Sequence, residues 1–156
     1  MPEPEDNQER GNVQRSTSNV QRSKGAGASG GTFDLEERLL DYAAEIVRLT
    51  GRLPHSRAGN HVAGQLLRSG TSPLPNHGEA QAAESRDDFV HKLSICLKEL
   101  RESRRWLRLM LRVPLTREAK PVEALVSETE ELIRIFAKSI RTAKSAVGRS
   151  KLNVGR

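Results

Sequence analysis

Five arginines are the residues of this chain best placed to do chemistry, and that chemistry is the holding of anions. Arg101, Arg104, Arg105, Arg108 and Arg112 recur at three- and four-residue steps. On a helix they fall within an arc of roughly 80° at about 100° per residue. Guanidinium groups so arranged bind phosphate or carboxylate through charge-assisted hydrogen bonds. The other reactive side chains are scattered. His55, His61, His77 and His91 sit on different predicted helices or loops, and none pairs at the i, i+4 spacing of a helical metal site. His77 with Asn76 and Glu79 at the kink is the best acid–base cluster available. Ferritin-like chemistry needs Glu-x-x-His on two helices, and the chain has none. No phosphate-binding glycine loop and no Cys-x-x-Cys pair occurs. The expectation is a protein that is not an enzyme, with no metal and no cofactor.

Composition bounds the scaffold. The 156 residues suffice for one domain, and hydrophobic residues make up 35% with aromatics at 3%, so the core is built from Leu, Ile, Val and Ala. That palette suits helices. Net charge is +6 and the pI about 10.0, which permits nucleic-acid or acidic-surface binding. One cysteine, Cys96, fits a reducing compartment. No run approaches the roughly 20 apolar residues of a membrane span, and the N-terminus lacks the apolar stretch of a secretory signal. A cytoplasmic location is expected.

Four helices must position the arginines. Residues 1–31 hold prolines, glycines and polar side chains with their acids and bases balanced, and they read as a disordered tail. Helix one opens on the cap pair Asp34 and Glu37, repeats apolar positions at Leu35, Leu39, Tyr42 or Ala43, Ile46 and Leu49, and closes at Gly51 and Pro54. Helix two starts near Ser56 and runs along a seam of Val62, Leu66, Ser69, Pro73, Asn76, Ala80 and Ala83. Pro73 and Pro75 predict a kink. Arg68, Ser69, Thr71 and Asn76 are the candidate donors to the carbonyls it frees, and Arg68, Ser69, Asn76 and Glu79 form a candidate polar cluster there.

Helix three carries the cap signature Ser85 and Asp88, then a core seam of Phe89, Leu93, Cys96, Leu100, Ser103, Leu107 and Met110. A second apolar set, Ile95, Trp106, Leu109 and Val113, lies away from both seam and arginines and reads as an oligomer interface. Val113 and Pro114 end the helix. Thr116 is the expected cap of helix four, with Pro121 in its first turn or at its start, and Gly148 its expected stop. Its seam is Val122, Leu125, Thr129, Leu132, Phe136, Ile140 or Ser139, Ala143 and Val147. Acids fill its first half and bases its second, as the helix dipole favours. Closure is an all-α, antiparallel up-down four-helix bundle over residues 32–147, with a short basic tail at 148–156.

The stretch QLLRSGTSPLPNHGEA from Gln65, followed by SRDDFVHKLSICLKELRES and a Trp-Leu pair at Trp106, resembles the four helix bundle protein family, the 23S rRNA-intervening sequence proteins. Helix one and the stretch Glu128 to Ile135 are similar to the family as well, so the resemblance covers about residues 33–147. Pro75 and His77 depart from it, where many relatives carry alanine and an aromatic. The resemblance implies small all-α subunits assembled as five-fold barrels. It also implies kinship with the accessory proteins of diversity-generating retroelements, whose basic barrels bind nucleic acid and a reverse transcriptase. Two functions follow as expectations. One is a pentameric scaffold whose arginine row holds RNA or DNA through backbone electrostatics. The other is an interaction module whose basic surface meets an acidic partner protein, a reverse transcriptase for example, without touching nucleic acid.

Overall fold

Three of the helix starts are fixed by side-chain caps at the residues the sequence points to. The computed structural model describes residues 34–113 and 115–152, with side chains through 145. Helix α1 (Leu35–Thr50) begins where Asp34 accepts from the amides of Glu36 and Glu37. Helix α2 (Arg57–Thr71) begins where Ser56 accepts from Gly59, and α4 (Arg86–Arg112) where Ser85 accepts from Asp88. Each bond satisfies an amide that the helix itself leaves unpaired. Gly51 caps the end of α1, its amide reaching the carbonyls of Val47 and Leu49. Val113 is extended, the conformation its following proline imposes.

The predicted kink divides helix two into α2 and α3 (Pro73–Gln81). Ser72 between them keeps right-handed helical angles, so the rod continues while its hydrogen-bond ladder is interrupted at the two prolines. Two expectations for the last helix are corrected. Helix α5 (Lys120–Leu152) is not capped by Thr116, whose hydroxyl donates to the carbonyl of Glu118; the amides of Val122 and Glu123 instead reach Ala119. Pro121 sits in the first turn, where its missing amide costs nothing. Gly148 does not stop α5, which continues to Leu152; a lone helical glycine costs only about 1 kcal/mol. The expectation of disorder for 1–31 lies outside the described residues, as do residues 153–156 of the expected tail, while residues 148–152 continue α5.

Neighbour relations fix the bundle. Helix α1 packs on α2, α3 and α5, and α4 packs on the same three, while α1 does not pack along α4, nor α5 along α2 or α3. The cross-section is therefore a square, in the cyclic order α1, α2–α3, α4, α5. Consecutive helices are neighbours, as an up-down bundle with short loops requires. The centre holds Leu39, Ile46, Leu66, Cys96, Leu100, Leu107, Leu132 and Phe136. Gly70 lets α1 and α2 close up, since a Cβ there would stand 2.8 Å from Ile46 Cγ2.

Candidate anion-binding face

Half-way along the bundle the apolar core is interrupted by hydroxyls, one from each side of the square. Tyr42 of α1 lies 2.9 Å from Thr129 of α5, and Ser103 of α4 lies 3.0 Å from Ser69 of α2. Thr129 spends its own proton on the Leu125 carbonyl, so Tyr42 donates to it. Ser103 also lies 3.0 Å from the carbonyl of Glu99 one turn back. All four side chains are buried. Burial pushes the Tyr42 phenol up to about 12, and likewise the Cys96 thiol up to about 12. Both stay neutral at physiological pH. Cys96 lies in the apolar core with its thiol against the carbonyl of Pro73, and is no nucleophile in this setting.

The residues proposed around the kink go separate ways. Arg68 bonds to Glu102 at 2.7 Å and to Gln65, on the surface between α2 and α4. Ser69 belongs to the hydroxyl layer. Asn76 donates to the carbonyl and hydroxyl of Ser72, and Thr71 to the carbonyl of Leu67. Glu79 pairs with Lys92 of α4 at 2.5 Å. His77 is buried, with Nε2 near Gln81 and its ring edge-on to Phe136. Asn76 and Glu79 thus leave His77 without an acid–base partner. Burial lowers the His77 pKa, against the smaller pull of Glu36 and Asp34. Its Nδ1 is buried without a hydrogen bond. Among the described residues no three His, Cys, Asp or Glu side chains gather into a metal-holding group. No helix among them is long and apolar enough to cross a membrane.

On α4 the arginines do form a row. Arg101, Arg105, Arg108 and Arg112 are exposed, and among the described residues they make no ion pair. Arg104 is half-buried against α5, 4.0 Å from Glu130, with its Nε buried and unpartnered. It marks the flank of α4 that faces α5. On α5, Arg134, Arg141 and Lys144 lie within about 40° of Glu130, so they border the same outer face. Arg134 is paired with Glu131.

The second apolar set of α4 is split. Trp106 packs against the core, edge-on to His61 of α2 with ring centroids 5.7 Å apart, and its indole nitrogen reaches Glu102. Ile95 is half-buried. Leu109 and Val113 stay open, 40% and 52% exposed. A further exposed group lies where the sequence reading placed nothing: Leu40 at 49% and Val47 at 51% on α1, with Leu67 at 40% on α2. Val47 was masked in the sequence by the strong core periodicity of its own helix.

Comparison with known proteins agrees with this geometry. Residues 33–138 match the 23S rRNA-intervening sequence protein family. The chain belongs to that family. A solved relative is described as a protein of unknown function from the S23 ribosomal protein family of Bacteroides thetaiotaomicron VPI-5482. It is 34% identical, with a TM-score of 0.62, over 68% of this chain and 97% of the relative. No curated protein matches the chain. Membership accounts for the helical bundle and leaves its role to be argued from its surface.

Proposed function

We propose that the chain is a non-catalytic homo-oligomeric scaffold whose α4–α5 face holds the phosphate backbone of RNA or DNA without reading its sequence. One observation carries this: four exposed guanidinium groups in a row, none of them neutralised by a carboxylate among the described residues. An unpaired cationic row is what a polyanion needs, because each contacted phosphate releases a condensed counterion. Aromatics make up only 3% of the chain, too few for a base-stacking platform. Contacts to the backbone alone position a strand and leave its sequence unread. The five-fold assembly that the family resemblance implies repeats the row around a ring and raises its effective affinity.

A gel-shift series from low to moderate salt tests the reading. RNA and DNA of unrelated sequence should shift at low salt and be released as salt rises. No shift at low salt would end it, and would leave the row to an acidic protein partner, detectable as a nucleic-acid-free complex by its absorbance ratio at 260 and 280 nm.

A further inference from the structure

At the end of the bundle where α1 stops and α5 starts, the structure holds a cleft of about 450 Å³. Small-molecule sites span about 300–1,000 Å³. Leu49, buried in the last turn of α1, lines the cleft, and Leu115, Pro54 and Pro121 complete its apolar lining. The two proline rings are rigid plates, since each is locked to its own backbone. Three charged side chains line the same cleft: Arg52, Arg117 and Glu118. All three are exposed, and among the described residues none makes an ion pair.

The backbone around the cleft is held in place. The amides of Arg52 and Leu53 donate to the carbonyls of Leu49 and Thr50, and the Thr50 hydroxyl lies 3.0 Å from those of Ile46 and Val47. The negative end of α1 is thereby satisfied within its own turn. Pro54 is fixed from two sides. The Ser56 amide lies 2.7 Å from its carbonyl, and the first turn of α2 comes so near that a Cβ at Gly59 would stand 2.0 Å from the same oxygen. On the α5 side, Thr116 donates its hydroxyl to the Glu118 carbonyl, and the amides of Val122 and Glu123 turn back onto Ala119. The positive end of the α5 dipole opens beside the two guanidinium groups, so the field in the cleft favours an anion.

We infer that this cleft binds a nucleoside 5′-monophosphate. Each part of the lining answers one part of that ligand. Arg52 and Arg117 take the phosphate through charge-assisted hydrogen bonds. The leucines and proline rings cover the faces of the base, whose apolar area gains by leaving water. Glu118 accepts hydrogen bonds from the ribose hydroxyls, as a carboxylate does in dinucleotide sites. Glu118 also sorts among anions. A fatty acid or an aryl carboxylate brings it no donor and sets a second negative charge beside it. Inorganic phosphate satisfies the guanidinium groups and leaves the apolar walls wet. The site goes beyond the backbone-holding face of α4 and α5 and does not depend on it, so loss of the gel shift would leave it standing.

Isothermal titration calorimetry of the full chain with adenosine 5′-monophosphate tests it, with circular dichroism as the control that each variant keeps its helices. The nucleotide should bind at least about tenfold more tightly than adenosine or inorganic phosphate alone. Arg52→Gln with Arg117→Gln should raise its dissociation constant at least about tenfold. Glu118→Ala should bring 2′-deoxyadenosine 5′-monophosphate level with the ribonucleotide, which the wild type prefers. A short RNA with and without a 5′-phosphate separates the two sources of this chemistry. A preference for the phosphorylated strand assigns the cleft to strand ends, and no preference, with the mononucleotide still bound, assigns it to the free nucleotide. Inorganic phosphate bound as tightly as the nucleotide overturns the base-binding walls. A ribose preference that survives Glu118→Ala overturns the role of that carboxylate. No binding at millimolar nucleotide, or binding untouched by the arginine pair, overturns the site itself.

Discussion

Replacing Gly70 by alanine should destabilise the bundle, although alanine is the better helix former. The propensity gain for Gly→Ala inside a helix is about 1 kcal/mol. Against it stands Ile46, fully buried, whose Cγ2, Cγ1 and Cδ1 would lie 2.8, 2.9 and 3.1 Å from the new Cβ. Those atoms belong to a stiff β-branched side chain at the centre of α1, so relief requires a shift of the helix. Overpacking of this kind costs about 1–3 kcal/mol, and the expected net loss is about 1 kcal/mol, a few degrees in Tm. Gly64 and Gly78 supply internal controls, because a Cβ at either meets nothing within 4 Å. Gly64→Ala and Gly78→Ala should each stabilise by up to about 1 kcal/mol. Ile46→Ala, which removes all three contacting carbons, should remove part of the Gly70→Ala penalty, giving a coupled double-mutant cycle. Urea unfolding at fixed protein concentration measures all of these. A Gly70→Ala variant as stabilised as Gly64→Ala would refute the claim that Gly70 is what lets α1 and α2 approach.

Other consequences follow from the buried polar groups. Ser103→Ala should cost about 1 kcal/mol, because it removes the buried hydrogen bond to Ser69, which keeps only its long contact to the Leu66 carbonyl. Tyr42→Phe should be non-additive with Thr129→Val, its partner at 2.9 Å, and strict additivity in denaturant unfolding would show that the two hydroxyls do not form one pair. His77 gives a pH dependence whose sign is fixed by its lowered pKa. The unfolded chain binds the proton more readily, so stability is full above the ordinary histidine value of about 6.5 and falls as pH drops below it. Glu36 and Asp34 soften that loss, and Gln81 and Phe136, the other groups facing the ring, do not titrate. His77→Phe should flatten the decline between about pH 7 and 5; a Tm profile as steep as the wild type's would acquit His77.

Much of the fold was legible because its signals are local. Asp34, Ser56 and Ser85 each stand one residue before a helical period, and capping is a contact within four residues. Pro73 and Pro75 announce the interruption in the second rod by chemistry that no tertiary contact can override. The arginine row was legible for the same reason, since its spacing alone puts it on one side of α4. Thr116 and Gly148 misled because a cap and a stop are preferences worth about 1 kcal/mol, which packing easily outweighs. The surface was harder. Trp106 reads as exposed on a wheel of α4 alone, and only the position of His61 on α2 shows how much of it is covered. Leu40 and Val47 hid beside the core stripe of α1, because periodicity locates the buried face and says little about apolar residues outside it. The hydroxyl layer is legible residue by residue, at Ser69, Ser103 and Thr129, and its pairings, Tyr42 with Thr129 and Ser103 with Ser69, appear only when four helices meet.

The salt dependence of RNA binding tests the central claim most directly, with the wild type compared with Arg101→Gln/Arg108→Gln. These two side chains are exposed and make no ion pair among the described residues. The logarithm of the binding constant should fall linearly with the logarithm of salt concentration. The double variant should lose about two from that slope for each copy that contacts the strand, one for each arginine removed. Identical slopes for the two proteins, or binding indifferent to salt, would contradict the account.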